Sequence, residues 1–116
     1  MIQTPNARAI ARMFAALGEP TRLQIATHLL SGPLHVGAIA ELVGEPMVNI
    51  SHHLGVMRQA GLLEDEKKGR MVIYRFRDDV ISPGSDDGIL ATLKFGPYRV
   101  LVRAKPEPPP VKPKRS

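Results

Sequence analysis

The chain has neither cysteine nor tryptophan among its 116 residues. Without a thiol it has no disulfide, no thiolate metal site and no sulfur nucleophile, and a reducing cytoplasm suits it. No apolar run approaches the roughly 20 residues that span a bilayer. The opening MIQTPNARAIARMF has no charged region followed by an apolar one, so neither a membrane segment nor a signal peptide is expected. Catalytic constellations are missing too. There is no histidine–carboxylate cluster at useful spacing and no glycine-rich phosphate loop, so neither an enzyme nor a resident cofactor is expected.

What is present fits one domain. A chain of this length buries roughly 65% of its unfolded surface and folds without covalent staples. The formal charge is +5, unevenly spread. Residues 1–80 carry nine Lys/Arg against eight Asp/Glu, whereas 81–116 carry seven against three. The basic excess therefore lies mainly beyond residue 80, and the positions of the charges matter more than their sum.

Periodicity organises the first half. Ala9, Ile10, Met13, Phe14 and Leu17 fall on one helical face, predicting a helix over 5–17 that Gly18 ends. Leu23, Ile25, Ala26, Leu29 and Leu30 predict a second over 20–30, opened by Pro20 and stopped by Ser31-Gly32-Pro33. VGAIAELV (36–43) is a short third helix broken by Gly44-Glu45-Pro46. MVNISHHLGVMRQA (47–60) is a fourth, closed by Gly61. Then LLEDE and MVIYRF flank the turn Lys67-Lys68-Gly69-Arg70, giving a hairpin with a basic tip. Helix, turn, helix and basic hairpin in that order describe a winged helix-turn-helix, which sets one helix in the DNA major groove with a hairpin beside it.

Beyond Arg77, Asp78-Asp79 and the segment from Ser82 to Gly88 read as turn and loop. ILATLKF (89–95) and YRVLVR (98–103) alternate in polarity around Gly96-Pro97, predicting a second hairpin. From Lys105 to Ser116, five of twelve residues are proline and four are basic, a composition expected to form an extended, disordered tail. The expected class is mainly α with small β (α+β). The expected divisions are a winged helix-turn-helix over 1–80, a hairpin extension over 81–104 and a basic tail over 105–116.

On the fourth helix Ile50, Leu54 and Met57 share an inward face, to which His53 also belongs. Met47, Val48, Asn49, Ser51 and His52 lie at its leading, outward end. Asn49 can hydrogen-bond an adenine, Ser51 and His52 can reach bases or phosphates, and Val48 can pack on a thymine methyl. Arg58 is either a phosphate contact or a solvated residue, and Lys67, Lys68 and Arg70 make a phosphate clamp or minor-groove probe. For that clamp to work, Glu64, Asp65 and Glu66 must point away from DNA. His35 with His28 would make half a zinc site but reads more simply as ordinary polar histidines. The pairs Asp78-Asp79 and Asp86-Asp87 are better explained by turn chemistry than by a hard cation.

At these residues the chain resembles the ArsR-type repressors. Residues 15–23 (AALGEPTRL) are similar to the family's opening "ALxDPTRLxIL", and IAELVG (39–44) to "LAEALG". Val48 to Leu54 stands where the family has "STVSRHL"; LGVMRQAGL is close to "LKVLREAGL" and Gly69-Arg70 through Arg75 to "GRxVYYRL". The resemblance implies a cytoplasmic homodimer that represses transcription from a palindromic operator; family members commonly release DNA when a metal or other signal binds, and an unknown small-molecule or protein inducer is the partner left open for this chain. It also implies where this chain departs. Residues 33–39 align with the thiolate metal motif "ELCVCDL", but His35 and Gly37 stand at the cysteine positions, so no soft-metal sensor is expected. Family dimers pair through the first and last helices. Here the 89–103 hairpin stands in for the last helix, and Ile10, Met13, Phe14, Leu17, Leu93 and Val100 are the expected dimer contacts. Two alternatives are compatible with the same residues. One is a winged-helix interaction or dimerisation module without specific DNA binding, and the other is non-specific binding through the basic tail.

Overall fold

The computed structural model describes residues 6–85 and 87–103. The expected basic tail lies outside the described residues, as do Pro5 and Asp86. Four helices come first: α1 (Ala7–Leu17), α2 (Pro20–Leu29), α3 (Val36–Val43) and α4 (Met47–Gln59). Each start has a local cause. Asn6 accepts from the Ala9 amide at the head of α1, Glu19 from Arg22 at α2 and His35 from Ala38 at α3, satisfying amides that have no partner within the helix. His35 is thus a helix cap. Gly44 ends α3 in the left-handed region at φ 82°, where only glycine sits without strain.

Two three-stranded antiparallel sheets follow among the described residues. The first joins β1 (Leu34–His35), β2 (Leu63–Lys68) and β3 (Met71–Phe76) in the order β1-β3-β2. Its hairpin registers Lys68 with Met71, so Gly69-Arg70 alone form the loop. Gly69 at φ 60° occupies the first of the two loop positions, which suits the right-handed twist of the strands. The β1 strand is absent from the sequence reading because two residues carry no periodicity. Pairing of Leu34 with Tyr74 and His35 with Ile73 creates it.

The second sheet runs β4 (Ile81–Ser85), β5 (Ile89–Phe95) and β6 (Tyr98–Arg103) in chain order. Here the expected loop is corrected. Ser82 to Ser85 form an edge strand against β5, with Pro83 opposite Ala91. An edge tolerates proline because its free side needs no amide. A Cβ on Gly84 would overlap the carbonyl oxygens of Ile89 and Leu90, so that close approach requires glycine.

The sheet has a partner within the chain. Phe95 is fully buried, with its ring 4.9 Å from Phe14 of α1 at 83°, and Tyr98 lies 5.6 Å from Phe14 at 80°. Leu93, Phe95 and Val80 join Ile10, Ile25, Leu29, Ile39, Ile50, Leu54 and Met57 in a single hydrophobic cluster. Two expected dimer contacts are thereby corrected. Ile10 and Leu93 are buried inside this chain's own core, because the apolar face of β5 docks on α1. Among the described residues no helix is long and apolar enough to cross a membrane.

Candidate nucleic-acid interface

Helix α4 divides cleanly. Ile50, Leu54 and Met57 have no solvent exposure, and this inner stripe fixes the helix against the core. The opposite side of its first turns carries Met47, Val48, Asn49, Ser51 and His52, all exposed, Val48 to 80%. Pro46 precedes the helix without any side-chain cap. The leading amides therefore keep their capacity for an anion, and the macrodipole favours one there.

The hairpin completes this surface. Met47 and Ser51 of α4, Arg70 and Met71 of the hairpin, and His35, Val36, Gly37 and Val72 line one cleft of about 280 Å³. The basic tip thus stands beside the leading end of α4. Lys67 and Lys68 are exposed on the same tip. Two of the three carboxylates on this strand are engaged with arginines. Glu64 accepts from Arg75 Nε at 3.0 Å and Asp65 from Arg58 Nη1 at 3.1 Å. Glu66 stays exposed.

Arg58 does not join this group. It lies eleven residues beyond Met47, about 16 Å along the helix axis at 1.5 Å per residue, and is paired with Asp65. Its guanidinium also reaches the Tyr74 hydroxyl at 3.5 Å. Burial pushes the Tyr74 hydroxyl pKa upward, so the oxygen that accepts from Arg58 belongs to a neutral hydroxyl. Arg58 therefore fastens α4 to the first sheet.

Sequence reasoning missed the side chains that aim α4. Arg22 Nη1 donates to His53 Nδ1 at 3.1 Å, and its Nε donates to the Ala16 carbonyl. With Nδ1 accepting, the His53 proton is assigned to Nε2, which faces the Glu19 carboxylate at 4.0 Å. The Arg22 backbone amide, hydrogen-bonded to Glu19, holds that carboxyl below its ordinary pKa. Thr21 Oγ1 donates to Glu45 Oε2 at 2.8 Å, tying the break between α3 and α4 to the start of α2. Glu19, Thr21 and Arg22 thus fix both the turn and the inner flank of α4. Their only signal in the sequence is the GEPTRL string itself, which says nothing about which atoms they will meet.

Residues 17–66 match the family model described as a helix-turn-helix domain. The chain is 36% identical over 88 residues to the HTH-type transcriptional regulator NmtR of Mycobacterium tuberculosis, covering 76% of this chain and 73% of that one. It is 35% identical over 69 residues to the transcriptional repressor SdpR of Bacillus subtilis, covering 60% and 77%. Its structure superposes on a homodimeric winged helix-turn-helix DNA-binding domain from Mycobacterium bovis, a possible ArsR-family transcriptional regulator. There the TM-score is 0.57 at 30% identity, over 66% of this chain and 75% of that one. The chain belongs to the ArsR-type family. It is a winged helix-turn-helix DNA-binding regulator of transcription and not an enzyme.

Proposed function

We propose that this ArsR-type chain represses transcription by occupying a palindromic operator as a homodimer. The observation that carries the reading is the shared cleft, in which the leading end of α4 and the basic tip of the hairpin converge. In this reading Asn49, Ser51 and His52 meet base edges, Val48 packs on a thymine methyl, and Met47 borders them. Lys67, Lys68 and Arg70 hold phosphates. Arg58 is left out, being paired with Asp65.

The homodimeric Mycobacterium bovis domain supports a two-fold assembly. The apolar surface available for it here is Phe14, exposed to 40%, and Tyr98, to 49%, with half-buried Met13, Leu17 and Val100 around them. Phe14→Ser should convert a dimer to monomers in sedimentation, and an unchanged dimer would move the interface elsewhere.

The chain works in the cytoplasm and is not a thiolate metal sensor, since no cysteine is available to ligate. Selection of bound duplexes from a random-sequence library at near-physiological salt tests the whole reading. Enrichment of an inverted repeat with half-sites about 10 base pairs apart is expected. Recovery of unenriched DNA would overturn it. That outcome would favour a protein-interaction module, for which the exposed Met47 and Val48 would be the apolar contact.

A further inference from the structure

Sulfur is unevenly distributed in this molecule. The chain has no cysteine, so its methionines are its only sulfur groups. Among the described residues Met57 is fully buried on the inner face of α4, and Met13 is half-buried against the core. Met47 and Met71 are different: they are 55% and 48% exposed, and both line the cleft between the leading end of α4 and the hairpin tip. Ser51 and Arg70 share that cleft.

We propose that Met47 and Met71 form an oxidation site, at which hypohalous acids or peroxides turn the thioethers into sulfoxides and so release the protein from DNA. The reaction balances simply. With hypochlorous acid, each sulfur gives up two electrons and gains one oxygen, while the chlorine leaves as chloride with a proton. With a peroxide, the second oxygen leaves as water or an alcohol. Exposure decides which sulfurs react, since a thioether needs an approaching oxidant. No thiol in the chain competes for that oxidant.

The consequence follows from position and rests on the operator reading above. A thioether is soft, apolar and adaptable, suited to lying against a base edge or sugar. A sulfoxide is polar, and its oxygen carries partial negative charge. Two such oxygens would stand next to Arg70, on the face turned to the phosphates. They would draw the guanidinium from its phosphate and repel the backbone. The fold should be untouched, because neither side chain belongs to the core cluster. Sulfoxide reductases, one for each sulfoxide epimer, restore the thioether, so the change is reversible.

The test uses the full chain and a duplex enriched in the library selection. Binding is followed by fluorescence anisotropy before and after hypochlorite treatment, and peptide mass spectrometry locates the added oxygen. M47L, M71L and the double variant are treated alongside. The quantity read is the ratio of oxidised to unoxidised Kd for each protein, whatever its starting affinity. Wild type should weaken about tenfold, the loss of one good base contact. The double variant, which keeps Met13 and Met57, should give a ratio near one, and reductase treatment should restore wild-type binding. An unchanged ratio in wild type, an equal loss in the double variant, or oxygen found first on Met13 or Met57 would overturn the inference alone. An unoxidised chain that binds no duplex would instead remove the operator reading on which it stands.

Discussion

Replacing Phe95 with alanine tests whether the C-terminal sheet is part of one cooperative core. Phe95 ends β5, is fully buried, and meets Phe14 edge-on at 4.9 Å. Truncating a buried phenylalanine costs about 3–5 kcal/mol, of which about 0.5–1.5 kcal/mol belongs to the aromatic pair. A domain of this kind is stable by about 5–15 kcal/mol, so the loss is a large share of the whole. Tyr98 supplies the control. It touches the same Phe14 ring but is half exposed, so Tyr98→Ala should cost only about 1–2 kcal/mol. Urea unfolding followed by far-ultraviolet circular dichroism reads the helices. Tyrosine emission reads both sheets in wild type and Phe95→Ala, since Tyr74 lies on β3 and Tyr98 on β6 and there is no tryptophan; in Tyr98→Ala it reads the first sheet alone. Both signals should move together, with the midpoint of Phe95→Ala far below that of Tyr98→Ala. Equal costs for the two variants, or a tyrosine transition that precedes loss of helix, would refute the single core.

Neutralising Lys67, Lys68 and Arg70 together should flatten the dependence of log K on log salt by about 0.9 per lost phosphate contact while leaving sequence preference intact. Asn49→Ala should cost about 1–3 kcal/mol of discrimination at one base pair. Its melting temperature should stay unchanged, because the side chain is exposed. The Glu19 carboxyl lies below its ordinary value of 4.5, chiefly through the Arg22 amide. Its stabilising contribution is therefore complete above that pH and fades as pH falls through the depressed value. Glu19→Gln should accordingly have a shallower acid limb in a pH series of melting temperatures, and identical limbs would count against the cap. Gly96→Ala should destabilise by about 1–3 kcal/mol. The residue sits at φ 60°, and its new Cβ would lie 2.6 Å from Ile10 Cδ1.

The local rules carried far in this chain. Gly44 ends α3 because no other residue relaxes at a positive φ there, and the spacing of Ile50, Leu54 and Met57 set the buried side of α4 before any partner was known. The two glycine-led hairpins were legible for the same reason, since turn and alternation act over a few neighbouring residues. Strands β1 and β4 were not legible. Leu34–His35 is too short to have a period, and Ser82-Pro83-Gly84-Ser85 has the composition of a loop; each exists only because β3 or β5 offers it a ladder. Nor does periodicity say what covers an apolar face. The face of β5 met α1 of its own chain, which left Phe14 and Tyr98 and not Leu93 at the surface. Charge behaved likewise. The sequence alone determined that cations flank one turn and that the reading helix has a polar front. Only the tertiary structure decided that Arg58 faces Asp65 and that Arg22 reaches His53 across 31 positions of chain. Side-chain partners depend on which distant elements the core has brought together.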